Sequence, residues 1–118
     1  GYVQSLAPQT TNIQMWMRVD DYDNDVTTDF DNMGERPLRG TNTWTKCDIV
    51  FDVPESQCII NYGLILAGPG TAWFDHVSFD TVTITTPKTA YETNYPFPED
   101  WTYPENYPSA PVNLDFEE

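Results

Sequence analysis

Apolar and polar residues alternate along most of the first 85 positions, and this pattern predicts β-strands. The period of two is clear over residues 12–19, 43–53 and 71–79, where every second side chain would face a core. Residues 58–66 are apolar at almost every position, as is typical of a strand covered on both faces. No helix longer than one turn is predicted. The predicted core comprises Met15, Met17, Ile49, Phe51, Ile60, Leu64, Trp73, Val77 and Phe79.

Short strands separated by Gly, Pro and Asn turns predict an all-β fold, an antiparallel jelly-roll β-sandwich over residues 1–85. The composition changes at residue 86, where prolines and aromatic residues begin to interleave without a period. Because proline lacks the backbone N–H that a ladder needs, residues 86–118 are predicted to form an extended tail ending in a strand-like segment. The residues of this tail predicted to make interactions are Trp101, Tyr103, Leu114 and Phe116.

Asp75 is the carboxylate that the alternation places on a buried face. It shares the parity of Trp73, Val77 and Phe79, and a buried carboxylate requires a partner. That partner is predicted to be a backbone N–H group or Arg18 in preference to a bound calcium ion.

The composition is strongly acidic. The chain has 118 residues, with 5 Lys and Arg against 19 Asp and Glu, and a net charge of −14. Such a surface repels polyanions, so nucleic acid is predicted not to be a partner. No apolar run approaches the roughly 20 residues of a spanning helix, so membrane insertion is not expected.

Two features leave alternatives open at this point. Cys47 and Cys58 both fall on the apolar parity, which suits either a disulfide or two buried free thiols. Separately, an acidic run alternates carboxylates as a calcium loop does at its start. The run lacks the glycine and the closing glutamate of an EF-hand, which leaves a looser calcium site or a solvated hairpin tip. The carboxylates of this run are Asp21, Asp23 and Asp25.

A series of short motifs in residues 1–85 resembles one family of bacterial jelly-roll domains. The motifs are Trp16-Met-Arg-Val-Asp20, Phe30-Asp-Asn-Met33, Arg36-Pro37, Gly40-Thr41 to Thr43-Trp44, Asp52-Val-Pro54, and Gly63 to Gly70 with Trp73-Phe-Asp75. The family belongs to the galactose-binding-like, carbohydrate-binding-module-like class and occurs attached to regulators and peptidases.

The resemblance implies a jelly roll that lacks the family's first strands. It also implies Asp75 and Glu117 as ligands of a structural Ca²⁺, although His76 stands where the family usually has a second aspartate. No other cofactor is expected.

Three classes of function are weighed. Catalysis is not expected, because His76 is the only histidine and no serine lies in a nucleophile motif. A sugar-binding module would stack a pyranose ring on an outward aromatic residue and bind its hydroxyl groups with polar neighbours. The residues proposed for this role are Gln14, Trp16 and Arg18, or Trp44 with Asp48.

The function predicted first is a non-catalytic structural or assembly subunit, which docks on a protein neighbour or on further copies of itself through its sheet edge and tail. Glycan binding is the alternative. The predicted location is extracellular or luminal, as for a secreted protein.

Overall fold

The computed structural model describes residues 1–89 and the backbone of one further strand at 91–96. The described residues form an all-β fold with antiparallel sheets and no helix, which confirms the predicted fold class. Its jelly-roll connectivity stays a prediction. The strands are β1 (Tyr2–Leu6), β2 (Asn12–Asp21), β3 (Val26–Asp31), β4 (Leu38–Arg39), β5 (Asn42–Lys46), β6 (Cys58–Ala67), β7 (Thr71–Asp75) and β8 (Tyr91–Pro96).

The strands form two sheets. The smaller sheet has the order β5-β1-β7. In the larger sheet, β2 is central and pairs with β6 along all ten of its residues. One edge of β2 is therefore taken up by β6, and the other edge is shared by β3 and β4. β8 pairs with the edge of β3 that faces away from β2.

The apolar faces of the two sheets meet in a small core. Its buried side chains come from both sheets and from the turns between them: Val3, Ile13, Met15, Met33 and Cys47. Half-buried apolar residues of β4, β6 and β7 pack around this cluster.

The predicted parity of β7 is wrong. Phe74 stands opposite Val3 in the ladder and packs against the core, whereas Trp73 points outward and is 46% exposed. The alternation of residues 71–79 breaks at His76, whose φ of 54° lies in the left-handed region. Beyond that residue Val77 is buried as expected. The prediction of one uninterrupted strand over residues 71–79 therefore placed the residues before His76 on the wrong face.

The other predicted core residues differ in burial. Met15 and Val77 are buried, Ile60 is 37% exposed, and the remaining members apart from Trp73 are half-buried. Residues 47–53 and 77–79 alternate in sequence but form no regular strand. Alternation alone does not make a strand, because the backbone also needs a ladder partner.

β8 lies within residues 86–118, the part of the sequence predicted to form a tail, and is an edge strand antiparallel to β3. The predicted interaction residues Trp101, Tyr103, Leu114 and Phe116 lie outside the described residues. In the part of the chain that the structure describes, no helix has the length and apolar character needed to cross a membrane.

Candidate functional site: an apolar groove between the sheets

A groove of about 860 Å³ lies between the sheets and adjoins the core, since Met15 and Cys47 of the core cluster are part of its lining. One wall is the inward face of β2 and β6, and the others are the irregular segments 47–53 and 76–82. Most of its lining is apolar or aromatic. The apolar and aromatic lining includes Met17, Ile49, Phe51, Tyr62, Phe79 and Val82.

The ladder register explains how this face becomes apolar. Met17 stands opposite Tyr62 and Val19 stands opposite Ile60, so all four side chains lie on the inward face. The Tyr62 ring meets the Phe79 ring edge-on, with centroids 4.9 Å apart. Since the two irregular segments do not close over this face, part of the apolar interior stays accessible.

Charged groups occur at the margins of the groove. Lys46 and Asp48 line it and form an exposed ion pair of 3.7 Å. The Gly1 amino group donates to the Cys47 carbonyl oxygen at 3.1 Å, and burial lowers the pKa of this amine. Asp80 also lines the groove and is exposed.

Among the described residues, Asp20 is the carboxylate with no exposed surface, and it is not one of the candidate site residues predicted from the sequence. Its Oδ1 accepts a hydrogen bond from the Thr27 hydroxyl at 2.7 Å, and its Oδ2 accepts from Asn61 Nδ2 at 2.8 Å. Arg18 adds a hydrogen bond from Nε at 3.1 Å and an Nη2–Oδ2 ion pair of 3.0 Å. Each partner comes from β2, β3 or β6, so Asp20 ties the three strands together.

Asp75 does not have the environment predicted for it. It is half-buried and does not lie on the core face, and its Oδ1 accepts the backbone N–H of His76 at 2.7 Å. The partner is thus a backbone donor, one of the two predicted alternatives. Arg18, the other, is bonded to Asp20.

Asp31 is another buried carboxylate with a clear structural role. Both of its oxygens accept hydrogen bonds from Arg36, and Oδ1 also accepts the Met33 N–H at 2.8 Å. Burial acts to raise the pKa of Asp31, but the hydrogen bonds from Arg36, Thr89 and Met33 outweigh it and hold the pKa below its usual value.

The three carboxylates of the acidic run are not gathered around a common point. Asp21 caps the turn by accepting the N–H groups of Asp23 and Asn24 at 3.0 and 3.2 Å, and its pKa is lowered chiefly by the side-chain hydrogen bond from Asn24. Asp23 accepts the Gln57 N–H at 2.8 Å, and Asp25 is exposed. Among the described residues no group of three or more His, Cys, Asp or Glu could hold a metal ion. Glu117 lies outside them.

The five residues proposed for sugar binding are distributed over both sheets. Gln14 Nε2 donates to the Asn32 carbonyl oxygen at 2.8 Å, and Trp16, whose ring lies against Gly63, is among the residues that line the groove. Arg18 is paired with Asp20, as described above.

The other two belong to β5 and the segment after it. Trp44 is 48% exposed and lines a small recess with Tyr2, Asp75 and His76, whereas Asp48 borders the groove. The structure therefore places Trp16 and Asp48 in the lining of one groove but does not bring the five together.

Both cysteines are free thiols. Cys47 is buried in the core cluster and Cys58 is half-buried at the start of β6. Burial raises the pKa of each thiol. Of the two alternatives that the sequence left open, this favours free thiols over a disulfide.

Comparison with known proteins gives one informative match. The chain is similar to an uncharacterized HTH-type transcriptional regulator, YbfP, of Bacillus subtilis (strain 168), with 43% identity over 104 residues. The match covers 88% of this chain and 32% of the relative, so the chain spans about a third of the relative's length. No family model matches the sequence, and no solved structure matches it.

This match corrects several predictions. A structural or assembly subunit, and a carbohydrate-binding module as its alternative, are wrong because the relative is named a transcriptional regulator. The exclusion of nucleic acid and the extracellular or luminal location are wrong on the same finding. The argument against nucleic acid considered only the charge of these 118 residues, whereas the relative is about three times as long.

Proposed function

We propose that this chain acts as the β-domain of a transcriptional regulator of the helix-turn-helix type. The observation that carries the proposal is the 43% identity to such a regulator over 88% of the chain. The resemblance of residues 1–85 to jelly-roll domains that occur attached to regulators supports the same role.

In this proposal, nucleic acid is a partner of the protein that carries the chain. A helix-turn-helix reads DNA by placing a helix in the major groove. The described residues contain no helix, so that contact would be made by residues outside them. The groove between the sheets would supply regulatory input, because an apolar groove with a few polar groups is the usual form of a small-molecule site.

Genomic occupancy tests the proposal. The protein carrying this chain is tagged in its native host, cross-linked to DNA and immunoprecipitated, and the DNA is sequenced. We expect enrichment at a limited set of sites upstream of genes. Occupancy no different from that of an untagged strain would contradict the proposal.

A further inference from the structure

The groove has the dimensions and lining of a small-molecule site. Ligand pockets in proteins typically have volumes of about 300–1,000 Å³ and apolar walls with a few polar groups. The groove, at about 860 Å³, falls within this range. Its polar side chains, which include Lys46 and His76 as well as Asp48 and Asp80, are outnumbered by the aromatic and aliphatic residues of the lining.

The aromatic lining determines which ligand shape fits. Phe51, Tyr62, Phe74 and Phe79 all border the groove, and the Tyr62–Phe79 pair shows that this wall already accommodates edge-on ring packing. Ring faces carry negative potential, so they attract cations as well as other rings. A ligand with aromatic groups would bury its apolar surface here.

The electrostatics determine which ligand charge fits. The chain carries a net charge of −14, which produces a negative potential over its surface. Within the lining, the Lys46 ammonium is paired with the Asp48 carboxylate at 3.7 Å, so these two charges offset each other. Asp80 adds a further exposed carboxylate. The potential therefore favours a cation over an anion of the same shape.

We infer that the groove binds a ring-bearing organic cation, and that this cation is the effector of the regulator. The binding of such a cation is inferred from the groove alone, whereas its role as the effector also rests on the proposed function. The two halves are tested separately below.

Binding is tested with two probes of the same shape and opposite charge, tetraphenylphosphonium and tetraphenylborate. Each is titrated calorimetrically into the purified chain. We expect saturable binding of the phosphonium cation with one site per chain, and binding of the borate anion at least about tenfold weaker, a difference of about 1.4 kcal/mol. Absence of phosphonium binding, or equal or tighter borate binding, would overturn the inference.

A pair of variants places the probe in the groove. Val82 lines it and is 56% exposed, so Val82→Lys adds a positive charge there without removing a buried side chain. Leu6→Lys makes the same kind of change at a position that is 62% exposed and does not line the groove. We expect Val82→Lys to weaken phosphonium binding about fivefold or more, because like charges repel.

Leu6→Lys should leave phosphonium affinity within about twofold, with both variants unchanged in circular dichroism. Equal weakening by both variants would mean that the probe responds only to net charge, and the inference would fail.

The effector half is tested on the whole protein with a promoter fragment taken from the occupancy experiment. Fluorescence anisotropy should show DNA affinity changing at least about threefold when phosphonium is present, and less in the Val82→Lys protein. Phosphonium binding with unchanged DNA affinity would refute the effector role. Failure to find any occupied promoter would refute the proposed function and would leave the calorimetric result intact.

Discussion

Replacing Asp20 should destabilise the protein more than replacing any exposed carboxylate. Asp20 is fully buried and accepts hydrogen bonds from Arg18, Thr27 and Asn61. Removing one partner of a buried ion pair costs about 3–5 kcal/mol, because the other charge is left without compensation. Each neutral donor left unsatisfied costs a further 1–3 kcal/mol, on the order of the desolvation penalty of the group.

The Arg18 side chain moderates this loss. It is 33% exposed, so water can solvate part of its charge once the carboxylate is gone. We therefore place Asp20→Ala at about 3–5 kcal/mol in total, a large share of the roughly 5–15 kcal/mol that holds a typical domain folded. Asp20→Asn keeps an acceptor for Thr27 and should cost less than the alanine variant.

Equilibrium unfolding in urea at pH 7, followed by tryptophan fluorescence, measures these values. The matched control is Asp52→Ala, because Asp52 is also ion-paired, to Lys88 at 3.0 Å, but its side chain is 79% exposed. We expect the control to lose less than about 1 kcal/mol. If Asp20→Ala also lost less than about 1 kcal/mol, the account of Asp20 as a link between three strands would be refuted.

Three further predictions concern β7, Asp31 and the thiols. Phe74→Ala should lower the unfolding free energy by about 2–4 kcal/mol and Trp73→Ala by clearly less, since Phe74 faces the core; the reverse order in urea would contradict the observed parity. Because the pKa of Asp31 is lowered on folding, its stabilisation is present above the unfolded value near pH 4 and is lost as pH falls through the folded value. The melting temperature of Asp31→Asn should therefore fall less between pH 5 and pH 3 than that of the wild type, and parallel curves would count against this role. Iodoacetamide at pH 8 should alkylate Cys58 before Cys47, because only Cys47 is buried; peptide mass spectrometry showing the opposite order, or a disulfide, would disagree with the structure.

The fold class could be predicted from sequence because alternation constrains one face of a strand directly. β2 shows this well, since Ile13, Met15 and Val19 are all buried as its pattern requires. The pattern fails where the backbone leaves the extended region. His76 adopts a positive φ, and no feature of the alternation marked the break between Phe74 and the residues that follow.

The candidate site could not be predicted, because it depends on which alternating segments find a ladder partner. Residues 47–53 and 77–83 have strand-like sequences, yet they border a groove and form no strand. Asp20 was overlooked for a related reason. It begins an acidic run that reads as a solvated turn, and only the pairing of β2 with β3 and β6 buries it.

The central proposal, that this chain is part of a regulator of transcription and that its groove receives the regulatory signal, is tested most directly by sequencing RNA from four strains. These are the wild type, a strain without the gene, and strains carrying Val82→Lys or Leu6→Lys in it. We expect deletion to change transcripts at the occupied promoters, Val82→Lys to change the same transcripts, and Leu6→Lys to leave them at wild-type levels. Transcript profiles that remain at wild-type levels in the deletion strain, or that are the same in the Val82→Lys and Leu6→Lys strains, would contradict the claim.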